Sequence, residues 1–166
     1  MNQIPMMPRS HLQSFVTRRK GGSASIPSAS GRRANRILRE GLEVTIGNRA
    51  EAVILRKFIF WTGRLWDFDQ FIHEERARGE REFQDDPPEG GWVGKTADDL
   101  LGESIPSLSR HAIRKHLKSL VRKGFLYERE DPVYPWEHAL QYRVNLAKLR
   151  KALARRGYHL DERDFG

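Results

Sequence analysis

The stretch SRHAIRKHLKSLVRKGFLYERE, from Ser109 to Glu130, fixes three consecutive pieces of structure. Ser109 can cap a helix with its hydroxyl. Ile113, Leu117, Leu120 and Val121 then recur at helical spacing as one apolar stripe, which demands a core to pack on. Gly124 supplies the left-handed residue that ends such a helix, and FLYERE continues as a strand. The other face of the helix carries Arg110, His111, Arg114, Lys115, Lys118 and Arg122, with Lys123 at its end. Lys and Arg are good helix formers on any wet face. A helix charged only for solubility would interleave Glu, and Ser109–Lys123 contains no acid. The pattern predicts a helix set against a polyanion.

The flanking segments tell what this helix belongs to. Before it, Trp92–Lys95 suits a short strand. Thr96 suits an N-cap, with Asp98 and Asp99 where the helix dipole favours negative charge. Leu100 and Leu101 point inward, Gly102 stops this short helix, and SIPSL makes a turn. After it, LQYRVN is a second strand that pairs with FLYERE across DPVYPWEHA, and Asn145 caps a closing helix with Leu146, Leu149 and Leu153 inward. A short helix, a tight turn, a second helix and a hairpin make a winged helix-turn-helix. The expected class is therefore mainly α with a small β-hairpin (α+β).

Upstream, Ile54, Phe58, Trp61, Leu65, Phe68 and Ile72 recur at steps of three and four, predicting one long helix over about 49–75, capped by Asn48 with Glu51 three residues on. Val53, Leu55, Ile59 and Phe60 add apolar surface off that stripe. Such a helix is either central to the core or shared with a homodimer mate or partner protein. Arg32–Glu43 fits a further helix with Ile37 and Leu38 inward. Residues 1–31, rich in Ser, Pro and Gly, are expected to form a flexible basic arm, with a short helix also compatible with Ser10–Arg19. The predicted domain spans 32–156: long helix, charged solvated loop 76–91, helix-turn-helix 96–123, wing 125–144 and closing helix 146–156. Residues 157–166 are expected to be a loose tail.

Composition removes several classes. The chain has no cysteine, which excludes disulfides, thiolate zinc sites and thiol catalysis. No apolar run approaches the roughly 20 residues of a membrane span, and no secretory signal is evident at MNQIPMMPRS. A cytoplasmic protein without cofactor or metal is expected. No phosphate-binding glycine loop, HExxH spacing or triad order suggests an enzyme. Net charge is +8. It is uneven: residues 50–91 hold six bases and ten acids, whereas residues 92–130 hold eight and five.

A helix in the major groove offers its N-terminal side chains to base edges. That gives Arg110, His111, Arg114 and Lys115 as base-reading candidates, and Lys118 and Arg122 as phosphate contacts. The hydroxyl of Ser109 and the free N–H groups beside it suit a phosphate. Arg129 and Arg143 at the strand bases, and Arg32 and Arg33 in the arm, are candidates for the DNA backbone. The wing carries Tyr134, Trp136 and His138 but also Asp131 and Glu137. Packing of Trp136 on the long helix is an alternative to a phosphate role for this segment.

The residues AEAVILRKFIFWTGRL, GGWVGKTADDLLGESIPSLSRHAIRKHLKSLVRKGFL and QYRVNLAKL resemble the winged-helix domain of phage, plasmid and DnaD-type replication initiation proteins. The shared positions are Phe60-Trp61, Trp92-Val93, Ser109, Leu120 with Gly124, and Tyr142-Arg143-Val144-Asn145, within residues 42–150. The resemblance implies a non-catalytic double-stranded DNA-binding protein, a mobile-element or phage replication initiator or accessory factor. The chain is expected to lack the second, helicase-contacting or oligomerising domain of that family. A transcriptional regulator of the winged-helix type and a protein-interaction adaptor in a larger nucleoprotein complex are the alternatives.

Overall fold

A computed structural model describes residues 29–78, 88–102 and 107–166. The proposed helix at Ser10–Arg19 and most of the predicted arm lie outside these residues. In the described part the protein is mainly helical with one small antiparallel sheet.

Helix α1, Ala29–Ile46, begins inside the segment expected to be a flexible arm. Its buried stripe is Leu38, Gly41, Leu42 and Ile46. Ile37 stays 41% exposed, because a stripe centred on Leu38 and Leu42 leaves its neighbour a hundred degrees round the helix. Gly41 is required by packing: a Cβ there would lie 2.8 Å from the Tyr158 ring. Gly47, at φ +72°, ends the helix.

Helix α2, Arg49–Thr62, starts where the Asn48 side chain accepts from the Glu51 N–H at 3.1 Å. It is the centre of the molecule. Ala52, Ile54, Leu55, Phe58, Ile59 and Trp61 are all buried, and α1, α5, β2 and the C-terminal segment all pack on it. Of the two roles open to an all-round apolar helix, burial is the one observed, with Phe60 left 43% exposed.

The long helix expected over 49–75 is two helices. α2 stops at Thr62, residues 63–67 form turns, and α3 runs Phe68–Arg78. The Thr62 hydroxyl donates to Phe58 O at 2.7 Å, and the Gly63 N–H still bonds Ile59 O at 3.2 Å. Beyond that, the backbone of Phe165 occupies the space beside Gly63, where a Cβ would fall 1.7 Å from the Phe165 carbonyl oxygen. The break lets α3 turn its Phe71 and Ile72 back into the same core. The C-terminal residues are correspondingly not a loose tail. Leu160 and Phe165 are buried, a 3₁₀ helix forms over Glu162–Phe165, and the Phe165 ring packs 5.4 Å from Phe68 and 5.9 Å from Phe71.

The segment from Pro88 to Gly91, assigned to a solvated connector, is held in place. The Glu74 carboxylate accepts from the Gly90 N–H at 3.2 Å, and the Trp92 indole donates to Pro88 O at 2.7 Å. Helix α4 is Ala97–Gly102, opened by reciprocal bonds between Thr96 and Asp99. Helix α5 is Arg110–Arg122. Strands β1, Leu126–Glu130, and β2, Leu140–Val144, pair antiparallel with Leu126 opposite Val144 and Glu130 opposite Leu140. The outer edge of β2 is met by Val93, which exchanges both backbone bonds with Tyr142 at 2.8 and 3.0 Å. Helix α6, Leu146–Ala154, is capped by Asn145 and buries Leu146, Leu149 and Leu153.

Candidate nucleic-acid interface

Ser109 accepts from the Ala112 N–H at 3.1 Å and so starts α5. Ile113, Leu117 and Leu120 are buried and Val121 is half-buried. Gly124, at φ +77°, closes the helix, with its N–H on Val121 O at 2.9 Å and the Phe125 N–H on Leu120 O at 3.0 Å. These bonds fix where the helix starts and stops, and its buried stripe fixes how far it is rotated about its axis. Arg110, His111, Arg114, Lys115, Lys118 and Arg122 all face solvent.

The two ends of this cationic row are occupied. Arg110 pairs with Asp98 of α4 at 2.5 Å, and Lys123 pairs with Glu51 of α2 at 2.5 Å. Among the described residues no acid lies in ion-pair distance of Arg114, Lys115, Lys118 or Arg122. Together with His111 these four line a groove of about 840 Å³, open to solvent between α5 and the hairpin. Leu117, Leu140 and Tyr142 supply apolar surface inside it, and Glu128 and Glu137 stand on its hairpin side. Burial first, then the Glu128 carboxylate, push the Tyr142 phenol far above its ordinary range, so it stays neutral. A groove with one cationic wall and one acidic wall would seat an anion against the helix rather than centrally.

The link to α2 controls the direction of α5. Glu51 is buried, and its carboxylate meets Lys123 Nζ and, at 3.5 Å, the His116 ring. Burial raises the Glu51 pKa, but Lys123, Ser119 and His116 together outweigh that and hold it below the usual value.

Other residues singled out in the sequence fall elsewhere. Arg143 is not a backbone contact: its side chain is fully buried. Its guanidinium donates to Gly90 O at 2.7 Å, to Glu74 at 3.2 Å and to Glu75, tying β2 to α3. Both faces of β2 are covered here, so strand alternation does not bring Arg143 to solvent. Arg129 is half-buried, bonded to Gln141 at 2.8 Å and stacked 4.2 Å over the Trp92 ring, away from the α5 groove. Arg32 and Arg33 are exposed on the first turns of α1, a helix that packs on α2, α6 and the C-terminal segment. Trp136 does not reach α2; it is 70% exposed and meets only Tyr134 edge-on among described rings, at 5.6 Å.

Lys95 was missed in the sequence. It lines the groove from the segment before α4, with its ammonium 5.2 Å over the Trp61 ring. Its position at the end of the expected short strand Trp92–Lys95 was the available signal, since that strand had to lie beside the hairpin. Among the described residues no group of His, Asp and Glu is placed to hold a metal, and no helix is long and apolar enough to cross a membrane. Comparison with protein families, with curated proteins and with solved structures gives no match.

Proposed function

We propose that the chain is a non-catalytic, double-stranded DNA-binding protein of the winged helix-turn-helix type, with α5 as the helix that enters the major groove. One observation carries this reading: Arg114, Lys115, Lys118 and Arg122 form an exposed row on a firmly capped helix, with no described acid within ion-pair distance. The order of elements supports the fold type. A bridging strand, a short helix, a capped helix and a hairpin follow one another, with Val93 and β1 on opposite edges of β2. Each phosphate contact this row makes adds about 0.9 logarithmic units to the salt dependence of binding. The task, replication initiation or an accessory step on a phage or mobile element, rests on the sequence resemblance alone. Regulation of transcription would use the same helix on a palindromic site.

The test is fluorescence anisotropy of a labelled random-sequence duplex across a salt series, for the native chain and for Arg114→Ala/Lys118→Ala. The double substitution should remove most of the affinity and lower the salt slope by about 0.9 for the phosphate contact of Lys118, with thermal stability unchanged because both side chains are exposed. Equal binding by both proteins refutes the assignment of α5.

A further inference from the structure

The molecule has a second cationic groove, on the far side of α2 from α5. Glu51 and Phe58 face α5 and the hairpin: Glu51 meets Lys123, and the Phe58 ring lies 5.5 Å from Tyr142. At 3.6 residues per turn, Val53, Lys57 and Phe60 point the opposite way. They open onto a groove of about 960 Å³ bounded by α1, α2 and the C-terminal segment. Arg56, Lys57, Arg64 and Arg163 line it, and Phe60, 43% exposed, gives it an aromatic wall with the Arg64 guanidinium stacked 3.3 Å above the ring. Asp161 and Asp164 also line it and offset part of that charge, leaving four cations against two carboxylates, with the Asp164 carboxylate accepting from the Asp161 N–H at 2.7 Å. Arg56 donates to the neutral Asn35 and Arg64 to Phe60 O, so neither bond cancels a positive charge.

The hairpin is the reverse in charge. Its two arginines are turned away, Arg143 into the core and Arg129 onto Trp92. What remains outward is Glu128, Glu130, Asp131 and Glu137, with His138 beside Glu130 at 3.7 Å. Its tip exposes apolar surface, with Val133 63% and Trp136 70% open and Trp136 packed on Tyr134. None of these three lines the α5 groove, whereas Glu128 and Glu137 do, so the part of the surface outside that groove is the aromatic tip with Glu130 and Asp131. An aromatic tip in an acidic collar is poorly suited to a phosphate backbone. It matches a cationic groove with an aromatic wall, and the same chain carries one.

We propose that copies of this chain associate head to tail, the Trp136 hairpin tip of one seated in the Phe60–Arg64 groove of the next. The two surfaces lie on opposite sides of α2, so a hairpin cannot fill its own groove, and the contact is heterologous. Such contacts propagate into rings or rows rather than stopping at a symmetric pair. A buried Trp packed on Arg and Phe is the kind of anchor that dominates small interfaces. This association stands independently of DNA binding by α5.

The test is sedimentation velocity of the full chain over a concentration series reaching about 100 µM, the range in which small interfaces dissociate. Trp136→Ala disables the hairpin tip, and Lys57→Glu/Arg64→Glu disables the groove. The native chain should form species beyond the dimer, weakened by salt. Each variant alone should be monomeric, with association weakened at least tenfold, and their equimolar mixture should give a dimer and nothing larger. Glu130→Lys, which leaves the aromatic tip in place, should weaken association severalfold. A native chain that stays monomeric overturns the proposal. So does association that survives Trp136→Ala, or a mixture that fails to pair, which would indicate a symmetric contact or a different partner for the tip. Duplex binding by the two variants, measured alongside, reports on α5 separately.

Discussion

Replacing Arg143 by Met separates the role this residue plays from the one its position on a basic-looking strand suggests. The Met chain fills similar space but removes the bonds to Gly90 O, Glu74 and Glu75 and the stacking over the Phe71 ring at 4.8 Å. Glu75 is the costly survivor. It is 4% exposed and would keep Arg78, at 3.1 Å, and the Ala147 N–H, at 3.0 Å, as partners. Removing one member of a buried ion pair costs about 3–5 kcal/mol, and the remaining partners of Glu75 place this case at the lower end, about 3 kcal/mol. At about 2–4 °C per kcal/mol for a chain of this size, the melting temperature should fall by about 10 °C. Adding Glu75→Gln should recover part of the loss, because the stranded charge is then gone. The assay is thermal unfolding followed by circular dichroism, with duplex binding measured well below the transition. A guanidinium buried in the core neutralises no phosphate, so the salt slope of binding should not change. An unaltered melting temperature with a reduced salt slope would refute this account and return Arg143 to the DNA.

Two further outcomes follow from the same structure. Phe165→Ala should cost about 3–5 kcal/mol, since the ring is buried against Phe68 and Phe71; a melting temperature equal to that of the native chain would show the C-terminal segment to be dispensable. Glu51, whose folded pKa is held below the ordinary glutamate value, adds stability that is present above that ordinary value and is lost as pH falls through the folded pKa. Glu51→Gln should therefore flatten the stability profile below about pH 5, and an unchanged acid limb in urea titrations would remove Glu51 from the explanation.

What the sequence discloses and what it hides divide along one line. The caps at Asn48, Ser109 and Asn145, the stop at Gly124 and the apolar stripe of α5 are local chemistry, and they fall where the side chains say they must. The cationic row was legible for the same reason, because rotation of α5 is fixed by its own stripe. The break at Gly63 was not legible. The apolar period runs through it without interruption, and what ends α2 is a backbone from the other end of the described chain. Arg143 was misassigned because alternation along β2 assumes one wet face, and its dry face is made by Glu74 and Glu75 on a distant helix. The same two acids were the only clue, as unmatched carboxylates in search of a buried partner. The tail was misjudged because Leu160 and Phe165, two apolar residues among charges, look solvated until the core that receives them is known.

The long separation of these tertiary ties has a consequence for how the chain acquires its structure. Side-chain links join residues 68, 72 and 86 positions apart, at Arg143–Glu75, Lys123–Glu51 and Glu162–Arg76. Contacts closed over such distances are slow to find, because the intervening chain must first surrender its freedom. During synthesis the helices α1 to α3 emerge with Phe68 and Phe71 bare, and Phe165 joins them only about a hundred residues later, several seconds at ordinary elongation rates. Over that interval the nascent chain presents an aromatic face to the cell before it owns the residue that covers it.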